Sequence, residues 1–366
     1  MGKKILVISN MYPTAENRTF GIFVKNQVQA LENMGDEVDV IAITDPKNGK
    51  LRVLKKYIIW FLQTVLNLLF KGKKYDVVHA HYVFPSGMLA RAYKKLWKTP
   101  FVVTSHGGDI DRMAKKNARI RGWTTAILRE ADHVIAVGDA LYEEINKQYG
   151  VERDRLSILN MGVNRDVFKP YPKKDIRAEL GINENEKPIL FVGNMIREKG
   201  LNELLLAFKT VKEKVPEAAL YLIGASRNEA YRQELEEIIK SEELQTVAFK
   251  DPLPQMELAK WMSAAEVFVL PSHIEGFGLV AVEAMSCHTP VVGSEVGGLS
   301  YLLRDDYGIL SAPKNPASLA EGILKVIEHE AVKDMLIQNG EKKAAANDEK
   351  KLIVKLQDIY NQVKKK

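Results

Sequence analysis

The stretch HIEGFGLVAVEAM, residues 273–285, sets two carboxylates around a phenylalanine flanked by glycines. Glu275 comes just before the glycines, and Glu283 lies about one and a half helical turns beyond Gly278. Val267–Pro271 reads as an apolar strand and the residues from Gly278 onward have helical spacing, so the glycines occupy a strand-to-helix turn. Such a turn aims backbone N–H groups and the positive end of a helix at an anion, typically a phosphate. Glycine permits close approach because no Cβ intervenes.

Two ligands compete for this turn. Gly276-Phe277-Gly278-Leu279-Val280-Ala281 matches the G-x-G-x-x-A form of a dinucleotide fingerprint, and Glu295 sits near the place of a ribose-binding acid. Three features weigh against that match. Several strand–helix units precede the turn, whereas the fingerprint usually opens its domain. Glu275 would face a dinucleotide's phosphates without purpose, and Glu283 reaches toward a hydroxyl-bearing group near the helix start. Carboxylates on both sides of a phosphate turn suit a diphosphate with hydroxyls at each end, which is a sugar nucleotide. A solvated helix face does not explain Glu283, which stands among Val280, Ala281, Val282, Ala284 and Met285, and a buried carboxylate needs a partner.

The elements that must position these groups follow an alternating pattern. Lys4–Ser9, Glu37–Ile43, Asp76–Ala80, Phe101–Ser105 and His133–Val137 read as buried strands separated by amphipathic helices such as Ile22–Met34, which ends at Gly35. The pattern breaks over 163–174 (VNRDVFKPYPKK), the best linker. It resumes with strands at Ile189–Val192, Leu220–Ile223, Val267–Leu270 and Val291–Gly293, alternating with helices such as Leu201–Lys214. Strands joined by helical crossovers build parallel sheets covered on both faces. The expectation is an α/β chain of two Rossmann-like domains, residues 1–168 and 169–348, facing across a ligand cleft, with the final helix Glu349–Lys366 packing back on the first. His106, followed by two glycines at a strand's C-terminal end, stands where such sheets bind ligands, whereas His79 and His81 fit a structural role equally well.

Composition narrows the function classes. A length of 366 residues exceeds one ordinary core, and 46% hydrophobic with 27% charged residues is a globular composition. The lone Cys287 leaves no disulfide framework within the chain, and His and Cys do not cluster at zinc spacing. The start MGKKILVISN runs straight into a strand and shows no signal peptide, which fits a cytoplasmic protein. Residues 1–170 hold 27 Lys and Arg against 17 Asp and Glu, whereas the remainder holds 26 against 30. A basic front half implies an anionic partner: a membrane surface, a phosphate-bearing substrate or nucleic acid. Basic residues lack interleaved aromatics, which makes nucleic acid the weakest of the three.

Ile58–Phe70 (IIWFLQTVLNLLF) is the most apolar stretch, and its thirteen residues fall short of the roughly 20 a bilayer span needs. Lys56, Gln63, Asn67, Lys71 and Lys74 form a narrow polar stripe at helical spacing. A helix packed by its broad apolar face on the sheet is the simpler reading. Flanking Lys55, Lys56, Lys71, Lys73 and Lys74 support a contact with an anionic membrane as the other.

Glu275 to Glu283, E-G-F-G-x-x-x-x-E, resembles the E-x7-E motif of the retaining glycosyltransferases of family 4, which have the GT-B fold. Similar correspondences run along the chain: Phe20–Val24, Asp76–His81 (DVVHAH), Thr104–Asp109 (TSHGGD), Asn160–Asn164 with Phe168 and Pro170, Glu198-Lys199-Gly200, Cys287–Val292 and Val296-Gly297-Gly298. The resemblance implies roles by position. Glu283 would bind the donor's ribose hydroxyls, and Glu275 would contact the transferred sugar. Gly276, Phe277, Gly278 and Leu279 would hold sugar hydroxyls and phosphate through their backbone. Lys199 would neutralise the diphosphate, Gly21 would offer its N–H from the opposite domain, and His106 would touch the sugar near the point of transfer. No cofactor or metal is implied beyond a nucleotide-sugar donor, with UDP expected. The acceptor is expected to be a glycan or a lipid-linked saccharide of cell-envelope or exopolysaccharide synthesis, met in the cytoplasm or at the inner membrane face. The family's usual Gly-Arg pair is replaced by Gly193-Asn194, which leaves Arg197 as the candidate for the missing diphosphate contact. A UDP-sugar epimerase or hydrolase of the same fold, or an NAD-dependent oxidoreductase, are the alternatives.

Overall fold

The computed structural model describes residues 2–47, 49–226 and 228–364. The chain divides into two compact units: Gly162–Asp348 forms one, and the segments before and after it form the other. The first begins β1 (Lys4–Ser9), α1 (Ile22–Asn33), β2 (Glu37–Ala42), α2 (Lys50–Lys71), β3 (Val77–His81) and α3 (Ser86–Trp97). It continues with β4 (Phe101–Ser105), α4 (Ala118–Glu130), β5 (His133–Ala136), α5 (Asp139–Tyr149) and β6 (Leu156–Ile158). All pairings are parallel in the order β2-β1-β3-β4-β5-β6, with Ser9 beside both Ala42 and His81. Parallel neighbours require crossovers, and the helices supply them, burying Ile5–Ile8 completely between the two layers.

The second unit opens with α6 (Lys173–Leu180), β7 (Lys187–Val192), α7 (Leu201–Lys214), β8 (Ala218–Ile223), α8 (Glu229–Ser241), β9 (Val247–Lys250) and α9 (Gln255–Ala264). It then runs through β10 (Val267–Leu270), α10 (Leu279–Ser286), β11 (Val291–Ser294), α11 (Gly297–Leu303), β12 (Ile309–Ser311), α12 (Pro316–Glu328) and α13 (Glu330–Ala346). Its sheet is also parallel, in the order β12-β11-β10-β7-β8-β9. The boundary lies at Met161/Gly162 rather than after Phe168, because Val163 and Phe168 are buried in this unit's own core. Nor is 163–174 wholly irregular, since α6 starts at Lys173.

The last helix, α14 (Glu349–Lys364), belongs to the first unit; Lys365 and Lys366 lie outside the described residues. Leu352, Ile353, Leu356, Ile359, Tyr360 and Val363 recur at helical spacing and pack into one cluster with Val24, Val28 and Leu31 of α1. Polar ties fix its register: Gln357 Nε2 donates to Asp36 at 2.6 Å, and Lys364 Nζ lies 2.5 Å from Asp76.

Helix α2 packs the opposite way from the simpler expectation. It does lie against its unit, but through Trp60, which donates to the Ile41 carbonyl at 3.2 Å, and through Thr64, Lys56 and Asn67, while Gln63, Lys71 and Lys74 of the polar stripe stay exposed. Lys56 reaches the carbonyls of Asp45 and Lys47, and Asn67 bonds Tyr75 and Tyr93. The broad apolar face is left exposed. Neighbouring buried tyrosine hydroxyls need partners, and Asn67 supplies one to each.

Leu356 is fully buried, so Leu356→Ala is expected to cost about 2–5 kcal/mol. Urea unfolding followed by circular dichroism should show an earlier first transition. An unchanged profile would mean that α14 is not part of the core.

Candidate functional site

In an open parallel sheet, ligands bind beyond the carboxyl ends of the strands where the strand order reverses. In the second unit that point lies between β7 and β10, and the loops leaving these two strands carry most of the residues singled out by sequence. After β7 the chain makes a short turn over Arg197–Lys199, and Gly200 (φ 69°) starts α7. A Cβ at Gly200 would lie 2.0 Å from the Pro271 carbonyl oxygen, so only glycine lets the two loops meet. The His273 N–H donates to the Glu198 carbonyl at 2.8 Å, and its ring lies 3.1 Å from Glu203.

Across this junction Lys199 Nζ sits 2.6 Å from Glu275 Oε2, and Ser272 Oγ donates to the same oxygen at 3.3 Å. Both charged side chains are largely buried but keep some solvent access. The backbone of Glu275 and Gly276 is clamped from the far side by α11. A Cβ at Gly297 would lie 2.4 Å from the Glu275 carbonyl oxygen, and the Gly298 N–H donates to that oxygen at 2.9 Å. Phe277 packs on the core, and Gly278 (φ 91°) opens α10 so that the helix begins at Leu279. A fixed cation thus stands beside a helix N-terminus, an arrangement suited to an anion. Glu283 lies half-buried farther along α10, where desolvation pushes its carboxyl up to about 8.

The structure brings Lys199, Glu275, Gly276, Phe277 and Gly278 to one loop junction, with Leu279 and Glu283 on the helix that leaves it. Arg197 does not join them. Its guanidinium is bidentate on Glu234 of α8 and lies 5.0 Å from the Tyr231 ring centroid, because the turn that points Lys199 inward points Arg197 toward α8.

In the first unit the strand order reverses between β1 and β3. Gly21 (φ 77°) caps α1, and a Cβ there would lie 2.7 Å from the Met11 carbonyl oxygen. His106 follows β4, its ring 4.9 Å from Phe23 and 4.7 Å from Tyr82. His81, for which a structural role fitted equally well, places its Nδ1 3.2 Å from His106 Nε2. The spacing His79-Ala80-His81 held the clue: two residues apart on a strand means one face, and the two rings stack at 4.5 Å. His79 is bonded on both nitrogens, to Tyr360 of α14 and Thr104, at 2.7 Å each. Burial pushes His81 down to about 3 and holds His79 and His106 well below the ordinary histidine range, so the three rings are neutral near pH 7. Asp109 fixes the loop, accepting from Ser105 Oγ and from the N–H groups of Val83 and His106. Among the described residues no group of three or more His, Cys, Asp or Glu has the geometry to hold a metal ion.

Comparison with known proteins accounts for both units. Residues 172–343 match the model for glycosyl transferases group 1, and residues 21–167 match the model for glycosyltransferase family 4. A D-inositol 3-phosphate glycosyltransferase of Streptosporangium roseum is 31% identical over 82% of this chain and 73% of its own. The glycosyltransferase MJ1607 of Methanocaldococcus jannaschii is 28% identical over 93% of each. Among solved structures, sucrose-phosphate synthase of Thermosynechococcus elongatus superposes with a TM-score of 0.81 over 99% of each chain at 26% identity. HepE of Anabaena, solved with UDP and glucose, shares the fold with a TM-score of 0.77 over 97% of this chain and 98% of its own, at 20% identity. With the family models on both units and a sheet pair of GT-B type, the chain belongs to the group 1, family 4 glycosyltransferases.

Proposed function

We propose that this enzyme moves a sugar from a UDP-sugar to a hydroxyl of an acceptor with retention of anomeric configuration. The observation that carries the reading is the Lys199–Glu275 pair over the glycine turn at the start of α10. Lys199 and the helix N-terminus meet the diphosphate, Glu275 orients the transferred sugar, and Glu283 takes the ribose hydroxyls. The glucose and UDP in the related Anabaena structure support the choice of donor. Arg197 contributes to the diphosphate only if it leaves Glu234.

In the step itself the acceptor oxygen bonds to the anomeric carbon on the face from which the diphosphate departs. The C–O bond to phosphate breaks, and the acceptor proton passes to the leaving phosphate oxygen. The developing negative charge falls to Lys199 and backbone N–H groups, so no divalent metal or other cofactor is assigned a role. Neutral His106, held by His81 and Asp109, lines the sugar's path on the first unit. That unit's basic excess fits a phosphate-bearing or lipid-linked saccharide acceptor, of the cell-envelope or exopolysaccharide type, met in the cytoplasm at the inner membrane face.

A panel of nucleotide sugars, with and without saccharide acceptors, tests the reading. Acceptor-dependent release of UDP is expected, and Glu275→Gln should lower kcat on the order of 10²–10³-fold. Acceptor-independent conversion at full rate, or stabilisation by NAD and not by UDP in a thermal shift, would contradict it.

Glu283 adds a pH signature. Its folded carboxyl titrates near 8 against an ordinary 4.5, so between these values the folded chain keeps a proton that the unfolded chain releases. Its contribution to stability is therefore lost as pH rises through that window. The melting temperature of Glu283→Gln minus that of the parent should increase from pH 4.5 to about 8; a constant difference would contradict the raised carboxyl.

A further inference from the structure

Helix α2 leaves an apolar face open along its whole length. Leu54, Ile58, Phe61, Leu62, Leu69 and Phe70 are each 48–79% exposed. They span about half the helix circumference over roughly 24 Å. Apolar strips of that extent are rare on soluble monomers without a partner. The inner face is already satisfied by Trp60, Thr64 and Asn67, so the helix has no reason to roll and hide the strip. Residues 50–74 hold seven Lys and Arg and no Asp or Glu. Lys50, Arg52 and Lys55 cluster at one end, and Lys71, Lys73 and Lys74 at the other.

These facts discriminate between occupants. The helix is long and apolar enough to cross a bilayer. A span would, however, place β2 and β3, strands of one sheet, on opposite sides of the membrane. A second copy laid strip to strip, parallel or antiparallel, would set cations against cations at both ends. A bilayer with anionic headgroups matches both features, accepting the apolar face to a depth of about 5–10 Å and pairing with the terminal lysines. Beside the strip lies a cleft of about 620 Å³, walled by Ile43, Thr44, Asp45, Arg52, Lys55 and Lys56. Arg52 pairs with Asp45 and Lys56 with main-chain carbonyls, and the cleft's cationic wall adjoins the plane where headgroup phosphates would lie.

We infer that α2 is an interfacial docking helix that seats the first unit flat on an anionic bilayer. This deepens the membrane element of the proposed function but rests on α2 alone, and its readout requires neither donor nor turnover. The full chain is mixed with vesicles of phosphatidylcholine, alone or with phosphatidylglycerol, and floated on a density gradient. Wild type should float with the phosphatidylglycerol vesicles and far less with phosphatidylcholine alone. The triple variant Phe61→Ser, Leu62→Ser, Phe70→Ser and the triple variant Lys55→Glu, Lys73→Glu, Lys74→Glu should each cut the bound fraction at least about tenfold. Both should keep the wild-type melting temperature, since the changed side chains are exposed. If the serine variant melts early, the glutamate variant alone carries the test. Wild type left unbound, binding untouched by the glutamate variant, or a dimer that the serine variant dissociates while vesicle binding stays absent would each overturn the inference.

Discussion

Where the loops after β7 and β10 meet, Gly200 approaches the Pro271 carbonyl so closely that a Cβ would lie 2.0 Å from its oxygen. Everything proposed for the site depends on that contact. It makes the loops after β7 and β10 one body, so that Lys199 meets Glu275 at 2.6 Å rather than waving in solvent. The glycines of α11 press on the same loop from the other side, which fixes the Glu275–Gly278 backbone. Lys199 is paired with Glu275. In the proposed reading an arriving diphosphate would share that cation and leave Glu275 free to turn to the sugar. The pair therefore holds the cation in place for an anion, and its own contribution to stability is secondary.

The first unit is organised around a different scarcity, that of water near its histidines. His79 and His81 are fully buried and His106 partly so, the three rings stack and are neutral, and His79 is bonded to Tyr360 in the last helix of the chain. The C-terminal segment thus supports the very rings that line the strand ends. A cation at His106 is disfavoured by burial and by its neighbours, so the group offers shape and a hydrogen bond.

Central strands and their helices were legible because a strand buried on both faces needs an uninterrupted apolar run. Lys4–Ser9, Phe101–Ser105 and the helix Leu201–Lys214 occur where the pattern placed them. The strands overlooked, Leu156–Ile158, Val247–Lys250 and Ile309–Ser311, are all sheet edges, short and partly exposed, and carry no such run. At the site, glycines and glutamates were readable because their chemistry is local. The direction of Arg197 was not, since Glu234 and Tyr231 come from a helix some thirty residues on and spacing says nothing of that partner. Periodicity likewise gave α2 an apolar and a polar face. It could not tell which faced the protein, because the inward bonds of Lys56, Trp60 and Asn67 go to partners distant in sequence, such as Ile41 and Tyr93.

The central claim is that a diphosphate sits against Lys199 while Glu283 holds the ribose. Calorimetric titration of UDP and of uridine into the wild type, Lys199→Met and Glu283→Gln separates these roles. Loss of the Lys199 contact should weaken UDP by roughly 10–100-fold and leave uridine unchanged, whereas Glu283→Gln should weaken both. Equal losses for UDP and uridine with Lys199→Met, or none for either, would contradict the account.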